Sequence, residues 1–187
     1  CRKQFGLNKN SVMFTASDAG WINGHTYALF GPLSLGATSI LVEKPINILN
    51  KFFLKEILSN NKVTILYLPV TLIRLFRGLV GNTRIFKNNN ISCLGSMGEP
   101  LAKGIAEWFS KTFKNNKLPI VNTYFQTETG GIISSPKYNF KKVNVSHGTV
   151  GKPVNKYLKL KIHKKDKSKT GEIKIANSWP GVLIGVI

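Results

Sequence analysis

Residues 38–69, "TSILVEKPINILNKFFLKEILSNNKVTILYLP", hold the pattern that decides the fold. A β-rich apolar run over 38–44 leads into an amphipathic stretch over 47–61 with one apolar stripe. A second β-rich run follows over 62–69 and is closed by Pro69. Strand-like runs on either side of a helical period read as a βαβ unit. Working outward, 70–81 reads as a helix stopped by glycine, 91–98 as a strand, 100–113 as a helix opening on proline, and 118–124 as a strand. Strand and helix keep alternating, which predicts an α/β fold over 1–136: a mostly parallel sheet flanked by helices. After Pro136 the texture changes. Alternating apolar positions at 158, 160 and 162, and again at 173 and 175, predict a hairpin within a β-rich subdomain over 137–187.

Composition bounds the possibilities. The chain has 187 residues, 42% of them hydrophobic, enough for one ordinary domain or part of a larger one. Lys plus Arg number 27 against 8 Asp plus Glu, a formal net charge of +19 that attracts anions. Lysine is spread through runs such as "KNNN", "KNNK" and "IHKKDKSK" with no single basic face, so the charge reads as solvated surface and no nucleic-acid partner is expected. Cys1 and Cys93 match no metal or redox spacing, which fits a reduced, cytoplasmic setting. No apolar run reaches membrane-spanning length and no signal peptide is legible, so no membrane partner is expected. "NIS" (90–92) and "NVS" (144–146) read as chance glycosylation patterns. The opening at Cys1 and the closing string "GVLIGVI" read as a fragment. Its sheet, lacking neighbours, is expected to expose apolar edges and to aggregate. Oligomeric state is not legible.

Ligands of open α/β sheets bind at the carboxyl ends of the strands. "GSMGEP" (95–100) follows one predicted strand and "FQTETGG" (125–131) the next, so both belong on one rim. Glycine admits a flat ligand close to the backbone, and a hydroxyl beside a carboxylate suits a phosphate and its magnesium. Glu99 and Glu128, two of only eight acids, both fall there. Each string could equally serve as a plain strand exit or a solvated cap.

Residues 17–45, 65–75, "LGSMGEP" (94–100), "NTYFQTETGG" (122–131), "GTVGKP" (148–153) and "GEIKIANSWPGV" (171–182) resemble, in order and interval, successive blocks of acetyl-CoA synthetases in the acyl-adenylate-forming superfamily. The resemblance implies part of the N-terminal domain of such an enzyme. It also implies a two-step reaction in which acetate is activated by ATP and Mg2+ to acetyl-AMP, and the acetyl group then passes to coenzyme A. By similarity, Gly98, Glu99 and Pro100 line one side of the adenine. Asn122, Thr123, Tyr124, Phe125, Gln126 and Thr127 run along the nucleotide, with Tyr124 covering the base and Thr127 facing the α-phosphate. Thr127 and Glu128 are the implied catalytic residues, Glu128 being the carboxylate associated with Mg2+. Trp21, Ile22, Asn23, Met97 and Phe125 correspond to the acyl pocket, and Asn23 and Asn47 to coenzyme A contacts.

Local readings stand beside these: Tyr124 as a core aromatic, Asn47 as a helix N-cap, His25 as a structural histidine. The chain also departs from the family pattern. It has "GWINGH", "GSMGEP" and "TYFQTE" where the family shows "GWVTGH" or "GWITGH", "GSVGEP" and "TWWQTE". Phenylalanine for tryptophan at 125 leaves room that Met97 partly refills, so propionate or another short acid stands close behind acetate. The family's phosphate loop, ribose-binding aspartate and C-terminal lysine have no counterpart in the chain, which by itself is expected to be inert. A non-catalytic nucleotide-binding module is the other open reading.

Overall fold

A computed structural model describes residues 1–81, 86, 90–113, 118–136, 148–164, 166 and 169–182. The "KNNK" run, "NVS", and the last five residues of "GVLIGVI" lie outside the described residues, as does most of "KNNN".

Five strands, β1 (Val12–Thr15), β2 (Thr38–Ile40), β3 (Ile65–Pro69), β4 (Cys93–Met97) and β5 (Ile120–Asn122), form one parallel sheet in the order β2-β1-β3-β4-β5. β3 is central, and its residues alternate between two cores. Leu66 and Leu68 join Phe14 and Leu94 beneath α3 (Lys51–Asn60), α4 (Val70–Val80) and α5 (Lys103–Thr112). Ile65 and Tyr67 join Met13, Cys93 and Val121 on the opposite face, under Phe5 of α1 (Arg2–Phe5) and Tyr27 of a π-helix (Gly24–Phe30). That π-helix runs on into α2 (Gly31–Leu33). Each fully buried leucine contributes on the order of 2 kcal/mol. Strand order explains the two faces. The chain moves one way from β1 to β2 and the other way from β2 through β5, and right-handed crossovers put helices on opposite faces when direction reverses.

The expected α/β sheet is therefore present, with differences in detail. β1 was not legible as a strand: its four residues, VMFT, show no alternation, because three of them are buried in a sheet covered on both faces. The stretch 47–61 is two pieces, a 3-10 turn (Pro45–Leu49) and α3. Asn50 separates them with extended backbone, its Oδ1 accepting from the N–H groups of Phe52 (3.0 Å) and Phe53 (3.3 Å). That is N-cap geometry, and the cap is Asn50 rather than Asn47. α4 buries Val70, Ile73, Phe76 and Val80 along one stripe and ends at Gly81. α5 begins three residues later than the sequence pattern predicts, because Ala102 is still extended.

Beyond the sheet, β6 (Ser134–Ser135) pairs with β7 (Lys152–Pro153), and β8 (Leu160–His163) with β9 (Glu172–Ile175), both antiparallel. The second pair is the expected hairpin. Its apolar residues are less covered than alternation implies: Ile162 and Ile173 are both exposed. No helix among the described residues is long and apolar enough to cross a membrane.

Candidate functional site

The strand order reverses between β1 and β3, and a doubly wound sheet opens a crevice at the carboxyl ends of such a pair. A cavity of about 550 Å³ lies there. Residues leaving β1 (Ala16, Ser17, Asp18) and β3 (Pro69, Thr71, Leu72) form part of its wall, and those leaving β4 and β5 complete it.

Segment by segment, local chemistry fixes the rim. After β1, Asp18 Oδ1 accepts from Gly20 N–H at 2.6 Å, and the Trp21 N–H donates to Asp18 O at 3.2 Å. The chain then turns into the π-helix through Gly24, where a Cβ would stand 2.2 Å from Asp18 O. After β4, Gly98 takes φ 86, which an L side chain resists. Glu99 is held from α4: Thr71 Oγ1 donates to it at 2.5 Å and Arg74 Nη1 at 2.8 Å, while Arg74 Nη2 donates to Pro100 O at 3.2 Å. This exposed fork steadies the turn and is worth little as an isolated ion pair.

After β5, the side chains diverge. Asn122 is buried, its Oδ1 accepting from Ser96 Oγ at 3.0 Å and its Nδ2 donating to Gly148 O and Thr149 O. Thr123 Oγ1 donates to Ser96 O at 2.9 Å, so the Tyr67 hydroxyl, 2.6 Å away, is the donor to Thr123. Burial pushes the Tyr67 hydroxyl well above its usual range. Tyr27, beside the Phe125 ring at 5.6 Å, is pushed up to about 12 by burial, opposed by the N–H of Ile132. Tyr124 bridges to Ser134 through its backbone. Gln126 and Thr129 then close a 3-10 turn (Thr127–Thr129), which leaves through Gly130 at φ 67. A Cβ on Gly130 would meet Gly181 O at 1.9 Å, so that turn packs directly on the 181 segment.

Of the residues singled out from sequence, the cavity gathers Trp21, Ile22, Asn23, Met97, Gly98, Glu99, Phe125, Gln126 and Thr127. Pro100, Asn122, Thr123, Tyr124, Glu128, Asn47 and His25 are not among its lining. Asn122 and Thr123 face the interior, Glu128 is exposed beside the rim on the 3-10 turn, and Asn47 lies exposed in the 3-10 turn before α3. Ala16, Ser17, Asp18, Pro69, Thr71 and Leu72 were assigned no role from sequence. Their signal was topological, since a switch point exists only once β1 is known to lie between β2 and β3. Among the described residues no group of three or more His, Cys, Asp or Glu could hold a metal. Glu128, exposed beside the rim, still fits magnesium, which is bound through one or two carboxylates, water and substrate phosphates.

A family model described as AMP-binding enzyme matches residues 1–182. Acetyl-coenzyme A synthetase 1 of Candida glabrata is 39% identical over 137 residues, 72% of this chain and 19% of that protein. Acetyl-coenzyme A synthetase of Vibrio vulnificus is 34% identical over 186 residues, 96% of this chain and 28% of that protein. The chain thus spans roughly a fifth to just over a quarter of these relatives. A crystal structure of an anthranilate CoA ligase in complex with anthranoyl-AMP superposes with TM-score 0.73 at 20% identity, over 90% of this chain and 32% of that one, a likeness of fold.

Proposed function

Because the chain belongs to the AMP-binding enzyme family, we propose that it forms part of an AMP-forming acyl-CoA ligase for a short carboxylate, with acetate the first substrate to try. The observation that carries this reading is the switch-point cavity, where Gly98, Glu99, Gln126 and Thr127 meet the apolar walls of Ile22, Met97 and Phe125. In the proposed reaction a carboxylate oxygen attacks the α-phosphorus of ATP, and the bond to the bridging oxygen breaks as pyrophosphate leaves with its electron pair. The coenzyme A thiol then loses its proton and attacks the acyl carbon, and AMP leaves. Such chemistry is driven by positioned donors and an enclosed site rather than by a protein nucleophile.

In this scheme Thr127 donates to an α-phosphate oxygen, and the Gly98–Glu99–Pro100 turn, braced by Arg74, borders the adenine. Tyr124 and Phe125 lie along the nucleotide, and Asn122 and Thr123 hold that strand end in place. Magnesium, held by Glu128 and the phosphates, would offset their charge. Phe125 and Met97 set the length of the acid, with propionate next after acetate, and Asn23 and Asn47 are placed toward coenzyme A. We assign the reaction to the cytoplasm and assign nucleotide contact without turnover to this stretch by itself.

The test is ATP–pyrophosphate exchange by the full-length protein with acetate, propionate and butyrate in parallel. Acid-dependent exchange that falls at least ~100-fold in Glu128→Ala is expected, on the scale of lost transition-state charge stabilisation. Absence of exchange with any acid, alongside magnesium-dependent nucleotide binding, would replace this reading with a non-catalytic nucleotide-binding module.

A further inference from the structure

The wall of the switch-point cavity has a second layer behind it. Phe125, half-buried, lines the cavity, and its ring rests on that of Tyr27, the centroids 5.6 Å apart and the planes at 58°. Tyr27 does not line that cavity. It is buried and borders a second one of about 420 Å³, shared with Thr26, Gly131, Ile132 and Trp179. The paired rings therefore stand between the two cavities. Tyr27 has little freedom to move: its hydroxyl accepts from Ile132 N–H at 2.5 Å, its backbone oxygen accepts from Thr15 Oγ1 at 3.4 Å, and its ring meets that of Tyr67 edge-on at 5.9 Å. From one position on the π-helix it is fixed to β1, to β3 and to the segment that follows the 3-10 turn. Phe125 has no such tether. A phenyl side chain carries no polar atom, so where its ring lies is decided by what it packs on.

Resting on the acyl-ligase reading above, we infer that Tyr27 is a positioning residue for acid selection: it props Phe125 against the cavity and so sets how long a carboxylate the pocket accepts. Interiors are close-packed, so the depth of a wall follows from the layer behind it. With the Tyr27 ring in place, Phe125 cannot retreat. With that ring removed, a void opens toward the second cavity, and Phe125 gains the space to turn back and lengthen the pocket. Met97 gives no substitute support, because it lines the cavity beside Phe125. The two parts of Tyr27 have separate duties. Its ring backs Phe125, whereas its hydroxyl satisfies the buried N–H of Ile132. Loss of the hydroxyl alone therefore costs stability without moving the wall.

The experiment is pyrophosphate exchange by the full-length protein with acetate, propionate and butyrate. In Tyr27→Leu, kcat/KM for butyrate relative to acetate is expected to rise ~10-fold or more, the scale on which an apolar pocket reads methylenes. Tyr27→Phe keeps the ring, so its melting temperature is expected to fall while that ratio stays within about twofold of wild type. In a Phe125→Leu background, Tyr27→Leu is expected to leave the ratio where Phe125→Leu alone puts it, because the residue it acts through is gone. Should Tyr27→Leu fail to fold, Tyr27→Met, which fills more of the space with a flexible chain, provides the same comparison. An unchanged ratio in Tyr27→Leu, an equal shift in Tyr27→Phe, or additive effects in the double variant overturns the inference and leaves the ligase reading standing. No exchange by the wild-type protein with any acid overturns both.

Discussion

Asn122 shows how residue type and spacing can name a position without naming its work. It stands in a string that by resemblance runs along a nucleotide, yet its side chain is spent on Ser96, Gly148 and Thr149, joining β5 to the segment that follows. Replacing it with alanine leaves the buried Ser96 hydroxyl without its acceptor and is expected to cost about 2 kcal/mol or more of stability. Urea unfolding measures that loss, and a wild-type midpoint for Asn122→Ala would remove its structural role. Met97 and Phe125, by contrast, were named as pocket residues through the resemblance, and both line the cavity. Asn23 could be placed from its string, but the lack of any partner for its amide becomes visible only when every neighbour is in position.

At the level of elements, periodicity located α4, β3 and β4 to within a few residues, because each has strong apolar patterning and a clear stop in Pro69, Gly81 or Gly98. It failed where a single polar residue divides a pattern, as Asn50 does, or where a strand is short and buried on both faces, as β1 is. The division makes a prediction. Asn50→Ala should destabilise the chain by about 1 kcal/mol through loss of the α3 cap, and Asn47→Ala should not. Comparing their thermal midpoints tests this, and equal losses in both variants would return the cap to the first asparagine. The candidate site follows the same limit: two of its rim segments were legible as strand exits, while the two that flank the switch point depended on β1.

Across the whole molecule, the interior holds groups that resist ionisation. Burial raises the Tyr27 hydroxyl from 10.0 to about 12 and raises the Cys93 thiol above 9.0. Between these limits the unfolded chain releases protons that the folded chain keeps, so the stability these two groups contribute is full below about pH 9 and falls as pH climbs toward 12. Urea midpoints in 1 M salt, where a Debye length of about 3 Å screens the net charge of +19, should decline as pH rises above 8.5. A midpoint unchanged at pH 10.5 would contradict this. The strand order carries a further consequence, one of timing. β1 lies between β2, which follows it closely, and β3, whose Ile65 pairs with Met13 across a long stretch of chain. At roughly 5–20 residues per second of synthesis, the chain from Ile40 to Ile65 takes on the order of seconds to emerge. For that interval β1 has one neighbour and one open edge, so the vulnerable moment in the life of this protein is the wait of a nascent strand for its second partner.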